Sequence, residues 1–455
     1  MTHSSTMPSE PSGSVRTPDP SGVDRADASR GGQVRTRHWI DNYLENFRKV
    51  TVPARWFLLG TTLLGMAWAT FMLLFNLYMK ERGFPEGIIG RVLSLQSFGM
   101  VAMAIPAALL VSRLSARAMM IASTIGAALG FAWQTIAPQV GMILVASFAT
   151  GGMLAFSRVV GLPFLMNHST PSERAHVFSL NFAATLGAGL ITHFGAGSLH
   201  RVLVGLTGSA LTAYHTVLLL GCSFALMGAV AFSRIPRGVV GQRAARVPLR
   251  EFWKTRGRLL FKLTFPFFLV GMGAGLIIPF LNLYFRDRFD LTPQTIGVYY
   301  GLVQATMILG VLVGPELARR FGMVKTIVFS EWASLPFMVI LAFTHSLPLA
   351  TLAFLMRGAL MNMGVPISNN YMMERVGERD RALVNSWSMV AWSLSWAITA
   401  ALGGSMIERS GYVMPLLIAS GLYVASSALY FLYFHRCEVY AGQPSLPEGL
   451  RPCEE

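Results

Sequence analysis

The stretch NLYMKERGFPEGIIG at residues 76–90 returns as NLYFRDRFDLTPQTIG at residues 282–297. Asn-Leu-Tyr opens both copies and Ile-Gly closes both. From Ile89-Gly90 and Ile296-Gly297 onward the two parts of the chain run in register at a shift of 207 residues. Arg113 falls on Arg320, Gly151 on Gly358 and Met166 on Met373. Arg174-Ala175 falls on Arg381-Ala382, Ser179 on Ser386 and Gly197 on Gly404. The chain is therefore a duplication, and both copies are almost wholly apolar.

The duplicated unit is built for lipid. The 455 residues are 53% hydrophobic and only 13% charged, against about 25% charged in a soluble protein. No charged residue falls between Trp56 and Met79, between Val92 and Val111, or between Ser410 and Phe434. Roughly 20 apolar residues carry a helix across the hydrocarbon core. Membrane β-strands would alternate over short segments, and these runs do not. Twelve spans are read: 54–79, 91–111, 118–136, 140–163, 176–198 and 213–233, then 262–285, 296–317, 323–344, 347–371, 382–406 and 411–434. Pro138, Pro348 and Gly411 mark breaks between spans, where helices tend to stop.

Charge orients the spans. The net charge of +15 can signal nucleic acid, but here the basic residues lie between spans. Residues 234–262 hold nine Lys/Arg against one acid, Glu251. Arg113 and Arg117 follow the second span, and Arg319, Arg320 and Lys325 follow the eighth. Short loops rich in Lys and Arg stay in the cytoplasm. The loops after spans 1 and 7 balance, with Lys80 and Arg82 against Glu81 and Glu86, and Arg286 and Arg288 against Asp287 and Asp290. Both termini are then expected inside, and an even number of spans gives the two copies the same orientation. Residues 1–52 read as a disordered cytoplasmic tail, rich in Ser, Pro, Asp and Gly. Trp39, Tyr43, Phe47 and Val50 recur in it at helical spacing, as in an interfacial helix or an ordinary lead-in. The expected units are 53–233, a basic linker 234–258, 259–434 and a cytoplasmic tail 435–455. Cys222, Cys437 and Cys453 show no metal or redox spacing.

These features resemble the major facilitator superfamily over nearly all of residues 53–434. That family has two six-helix halves, a basic central loop, and a Gly-x-x-x-Asp-Arg-x-Gly-x-x-Lys/Arg motif after spans 2 and 8. Here the second copy reads Pro315, Arg319, Arg320, Phe321, Gly322 and Lys325, and the first reads Ala108, Ser112, Arg113 and Arg117. Arginine is kept in both. The family's acid, which helps latch the cytoplasmic side, is replaced by Arg319 and Ser112. Span 5 keeps the glycines Gly187, Gly189, Gly195 and Gly197 of the family's antiporter motif without its proline. The resemblance implies an all-α, polytopic membrane protein of twelve helices in two parallel-repeat bundles. It implies a monomeric plasma-membrane carrier of small molecules, without cofactor or metal, working by alternating access.

Charges inside a membrane are costly and usually functional, and few are present. Arg357 lies about ten residues into span 10, ~15 Å deep, and is the main candidate to meet an anionic or polar substrate group. Glu331 in span 9 lies at similar depth, as partner of Arg357 or as a coupling group. His193 in span 5 can carry a proton or simply pack. Gln96, Gln304 and Asn362 offer neutral hydrogen bonds, and Trp392 and Trp396 share a helix face. Arg158, near the cytoplasmic end of span 4, suits a gate, together with Arg113, Arg320, Gly322 and Lys325. The implied substrate is a small organic solute, amphipathic or partly anionic, with proton coupling and efflux both open. A lipid or lysolipid flippase and a transport-dead receptor are alternatives on the same fold. No Gly-x-x-x-x-Gly-Lys-Ser/Thr loop supports a nucleotide-driven pump. No His or carboxylate cluster supports an enzyme, and nothing calls for a nucleic-acid partner.

Overall fold

In the computed structural model the protein is described over residues 51–110, 113–169, 174–236, 249–376 and 381–436. The readings on 1–50, Ser112, 237–248 and 437–455 lie outside the described residues. Among the described residues twelve helices are long and apolar enough to cross a membrane, and no strand occurs. They are α1 (Val52–Glu81), α2 (Glu86–Leu110), α3 (Ala116–Ile136), α4 (Val140–Asn167), α5 (Arg174–Thr207) and α6 (Ala210–Ser233). The second set begins with α7a (Leu249–Ile277), a 3-10 turn (Ile278–Phe280) and α7b (Leu281–Phe289). It continues with α8 (Pro293–Phe321), α9 (Met323–Phe343), α10 (Leu347–Arg375), α11 (Arg381–Ser410) and α12 (Val413–Phe434).

Local chemistry starts and stops these helices. Ser115, Thr292 and Ser209 cap α3, α8 and α6, each accepting from a backbone N–H three residues on. Gly208 and Gly411 hold φ of +68° and +70° at the turns before α6 and α12, a region costly for other L residues. Several helices outrun the expected spans, as α5 does by ending at Thr207 and not at 198, and the largest departure is in span 7. α7a starts at Leu249, so the end of the expected linker 234–258 is already helical. Span 7 is also broken, because Pro279 has no N–H to donate and its ring crowds the preceding turn.

The repeat is visible in the packing. In the first half α1 lies against α5 and α6, α2 against α4, and α3 against α4 and α6. In the second, α7a lies against α11 and α12, α8 against α10, and α9 against α10 and α12. The halves meet along α2 with α11 and α5 with α8. Both seams close on glycine. A Cβ at Gly90 would stand 2.5 Å from the Ala400 carbonyl oxygen, and one at Gly404 would stand closer still to that of Glu86. At the other seam a Cβ on Gly297 would stand 2.5 Å from the His193 oxygen, and one on Gly197 2.7 Å from that of Pro293. Such contacts need the backbones themselves to touch. The outer faces are greasy, with Ile105 and Val145 each 71% exposed and Leu312 70%, as suits a lipid solvent rather than water.

Candidate functional site

We call the end of the molecule with the 82–85 and 290–292 turns the far end, and the opposite one the linker end. At the far end the two copies of Asn-Leu-Tyr hold the halves together. Asn76 Nδ2 donates to the Pro279 carbonyl at 2.6 Å, and Asn282 Nδ2 donates to the Leu73 carbonyl at 2.9 Å. In a continuous helix the Leu283 N–H would meet the Pro279 carbonyl. Here it meets Asn282 Oδ1 at 2.8 Å. The helix break therefore supplies the acceptor that Asn76 uses. The rest of the motif stays within each half. Tyr78 donates to Thr135 O at 2.6 Å and Tyr284 to Leu341 O at 2.8 Å. Arg82 donates to Ala137 O at 2.8 Å and Arg288 to Ala342 O at 3.2 Å. Glu81–Arg286 at 3.0 Å and Gly87 N–H to Glu408 Oε2 at 3.1 Å also join the halves. Tyr412, in the turn before α12, donates to Asp287 at 2.6 Å. Burial, then the Asp287 carboxylate, raises its phenol above the usual range.

Toward the interior lies a cavity of about 360 Å³, lined almost wholly by the second half. Phe267 on α7a, Gln304 on α8, Glu331 on α9, Arg357 and Asn362 on α10, Trp392 and Trp396 on α11 and Tyr423 on α12 all line it. The first half adds Met72 and His193. Arg357 is only 5% exposed. Its Nη2 donates to Tyr423 Oη at 2.9 Å and its Nε to Met338 Sδ at 3.2 Å. Glu331 Oε2 is buried and has no hydrogen-bond partner. Of the two roles open to Glu331, the pairing with Arg357 does not form, and the guanidinium turns to Tyr423 instead. Ion pairs among the described residues include Lys80–Glu86, Glu81–Arg286, and Glu316 with Arg319 and Arg320. An aromatic wall of Phe267, Trp392 and Trp396 has centroids 5.1 and 6.1 Å apart. His193 meets Tyr300 edge-on at 5.6 Å, its Nδ1 without a partner.

Of the residues expected from sequence, Arg357, Gln304, Asn362, Trp392, Glu331 and His193 line this one cavity. Asn362 Nδ2 returns to the Gly358 carbonyl of its own helix at 2.9 Å. Gln96 lies outside the cavity, buried where α2 crosses Gly151 of α4. Among the cavity residues that sequence reasoning misses is Tyr423. Its signal is a tyrosine in the apolar run of the last span, since a buried phenol seeks a polar partner. The repeat makes the charge asymmetric. At a shift of 207, Glu331 answers to Thr124 and Arg357 to Thr150. Thr124 donates to its own helix, and Thr150 accepts from Gln134 Nε2 at 2.9 Å. One half is neutral where the other carries both charges.

At the linker end Arg113, Arg158, Arg320 and Lys325 are exposed, and Gly322 joins α8 to α9 at φ +92°. Glu316, one turn before the motif arginines, takes Arg319 at 2.6 Å and Arg320 at 2.8 Å. An acid thus stands beside these arginines after all, three and four residues earlier on the helix.

Comparison with known proteins agrees with this architecture. Residues 57–331 and 267–452 match the model of the Major Facilitator Superfamily. No curated protein sequence matches the chain. Among solved structures it resembles the nucleoside transporter NupG at 15% identity and a TM-score of 0.66, over 84% of this chain and 98% of that one. It resembles a bacterial homologue of the human lysosomal transporter Spinster, inward-facing and occupied, at 13% identity and a TM-score of 0.70, over 83% and 95%. It also resembles the human organic anion transporter MFSD10 at 17% identity and a TM-score of 0.56, over 84% and 99%. At such identities the likeness carries the fold alone. The doubled Asn-Leu-Tyr, the two glycine seams and the family match lead to one assignment: the chain is a multi-pass membrane transporter that belongs to the Major Facilitator Superfamily.

Proposed function

We propose that the protein is a secondary transporter that moves a small amphipathic organic solute by alternating access. The second-half cavity is its substrate site. The observation that carries this reading is the set of groups around that cavity: two opposite charges and an aromatic wall from one half, covered by Met72 and His193 of the other. Residues 53–233 and 249–434 act as the two moving bodies, joined by the basic linker between them. The far end faces outward and the termini face the cytoplasm of a plasma membrane, as the basic loops direct. In this state the reciprocal asparagine bonds close the outside. Transport requires them to part and the linker end to close. Gln304, Asn362 and Trp392 position the solute, and Glu331 and His193 are the groups through which proton movement is coupled.

The test is a ligand screen by thermal stabilisation on purified protein, followed by uptake of each hit into proteoliposomes. A ligand that stabilises the protein and is carried, both effects being lost in Trp396→Ala, supports the reading. A ligand that stabilises but is not carried under any ion gradient would leave a receptor. Movement of lysolipid between leaflets as the sole activity would leave a flippase.

A further inference from the structure

We infer that the cavity recognises a zwitterion: a solute with one cationic and one anionic group on a compact apolar body. The inference rests on the reading of this cavity as the substrate site. Two opposite charges in one secluded cavity gain most by pairing with each other, because an unpaired charge away from water is costly. Glu331 and Arg357 do not pair. Arg357 commits Nη2 to Tyr423 and Nε to Met338. A guanidinium has five N–H groups in a fork shaped for carboxylate or phosphate, so donors remain. Glu331 keeps Oε2 without a partner, and a carboxylate accepts from an ammonium. Tyr423 and Met338 therefore hold the guanidinium away from the acid and leave one open cationic and one open anionic position. The wall beside them is apolar: Phe267, Trp392 and Trp396 offer ring faces that suit an aromatic or aliphatic body and the alkyl side of an ammonium. A singly charged solute would satisfy one of the two groups and strand the other. A ligand that answers both strands neither, and about 360 Å³ suits a body of amino-acid size.

The experiment uses four compounds that share one aromatic body: an α-amino acid, its methyl ester, its N-acetyl derivative and the N-acetyl methyl ester. Binding to the purified full chain is read by quenching of tryptophan fluorescence and by thermal shift. The zwitterion should bind at least about tenfold more tightly than either singly blocked compound, the loss expected for one charge-assisted hydrogen bond. Glu331→Gln should erase the preference for the free amine, and Arg357→Gln the preference for the free carboxylate. A single-chain phosphocholine lipid forms a further arm. Competition by that lipid supports the same recognition with a lipid source, and competition by the amino acid alone supports it with a free solute. Equal binding of all four compounds, or dependence on only one charge, overturns the inference while leaving the cavity as a binding site. Binding of none, together with binding of other solutes that Trp396→Ala does not affect, overturns the cavity reading beneath it. The compound series needs no mutant, so a variant that fails to fold does not blunt the test.

Discussion

Asn76 and Asn282 bond to each other's helices at equivalent points. Asn76 holds the Pro279 carbonyl and Asn282 the Leu73 carbonyl, and each donor and acceptor in one bond maps onto the other bond at a shift of 206 residues. Both side chains are buried, at 3% and 0% exposure. A buried amide left without a partner costs about 1–3 kcal/mol, so the pair is a symmetric clamp on the far end.

Asn76→Ala or Asn282→Ala should therefore weaken far-end closure by about 1–3 kcal/mol each. Spin labels at Val202 and Met414, exposed at the far ends of the two halves, should show a longer distance population in either variant. An unchanged distance distribution in the double variant would remove the clamp from the account.

Glycine substitution should act with reversed sign at the seams. Gly→Ala inside a helix normally stabilises by about 0.5–1 kcal/mol. At Gly297 or Gly404 the new Cβ would meet a carbonyl oxygen at 2.5 Å or less. Both variants should lower the Tm and lengthen the same label distance, whereas Gly195→Ala, with open space around it, should do neither.

Much of the fold is legible in the sequence. Long uncharged runs mark the spans because lipid excludes charge, and a fixed shift marks the duplication because both copies must cross the same thickness. The start of α7a is hidden, since Arg250, Glu251 and Lys254 read as loop when hydropathy alone is weighed. The asparagine clamp is half legible. The repeat exposes Asn76 and Asn282, but nothing in the sequence says that their acceptors lie on the opposite copy. The absence of a Glu331–Arg357 pair is hidden for a related reason: depth along a helix is readable, but the competitor for the guanidinium, Tyr423, sits on another helix.

Tyr423→Phe should leave the buried Arg357 without its hydroxyl acceptor, at a cost of about 1–3 kcal/mol. The Tm should fall and ligand affinity with it. Adding Arg357→Met removes the stranded cation, so the double variant should recover stability without recovering binding. A double variant no more stable than Tyr423→Phe alone would show that the bond does not matter to folding.

Glu316→Gln should leave stability nearly unchanged, because its pairs with Arg319 and Arg320 are largely exposed. Chemical denaturation in detergent reads this directly. A larger loss would mean that Glu316 also engages the linker end of the other half.

If the transport cycle is as proposed, solute crosses only when the far end parts. A Cβ built at Gly87 lies 3.5 Å from Ser405 Oγ across the halves, within reach of a disulfide. Gly87→Cys with Ser405→Cys can therefore be oxidised to lock that end and reduced to free it. In proteoliposomes, oxidation should stop solute uptake, ligand binding should persist, and reduction should restore uptake. Full-rate uptake through the oxidised, cross-linked protein would contradict the clamp-and-release cycle.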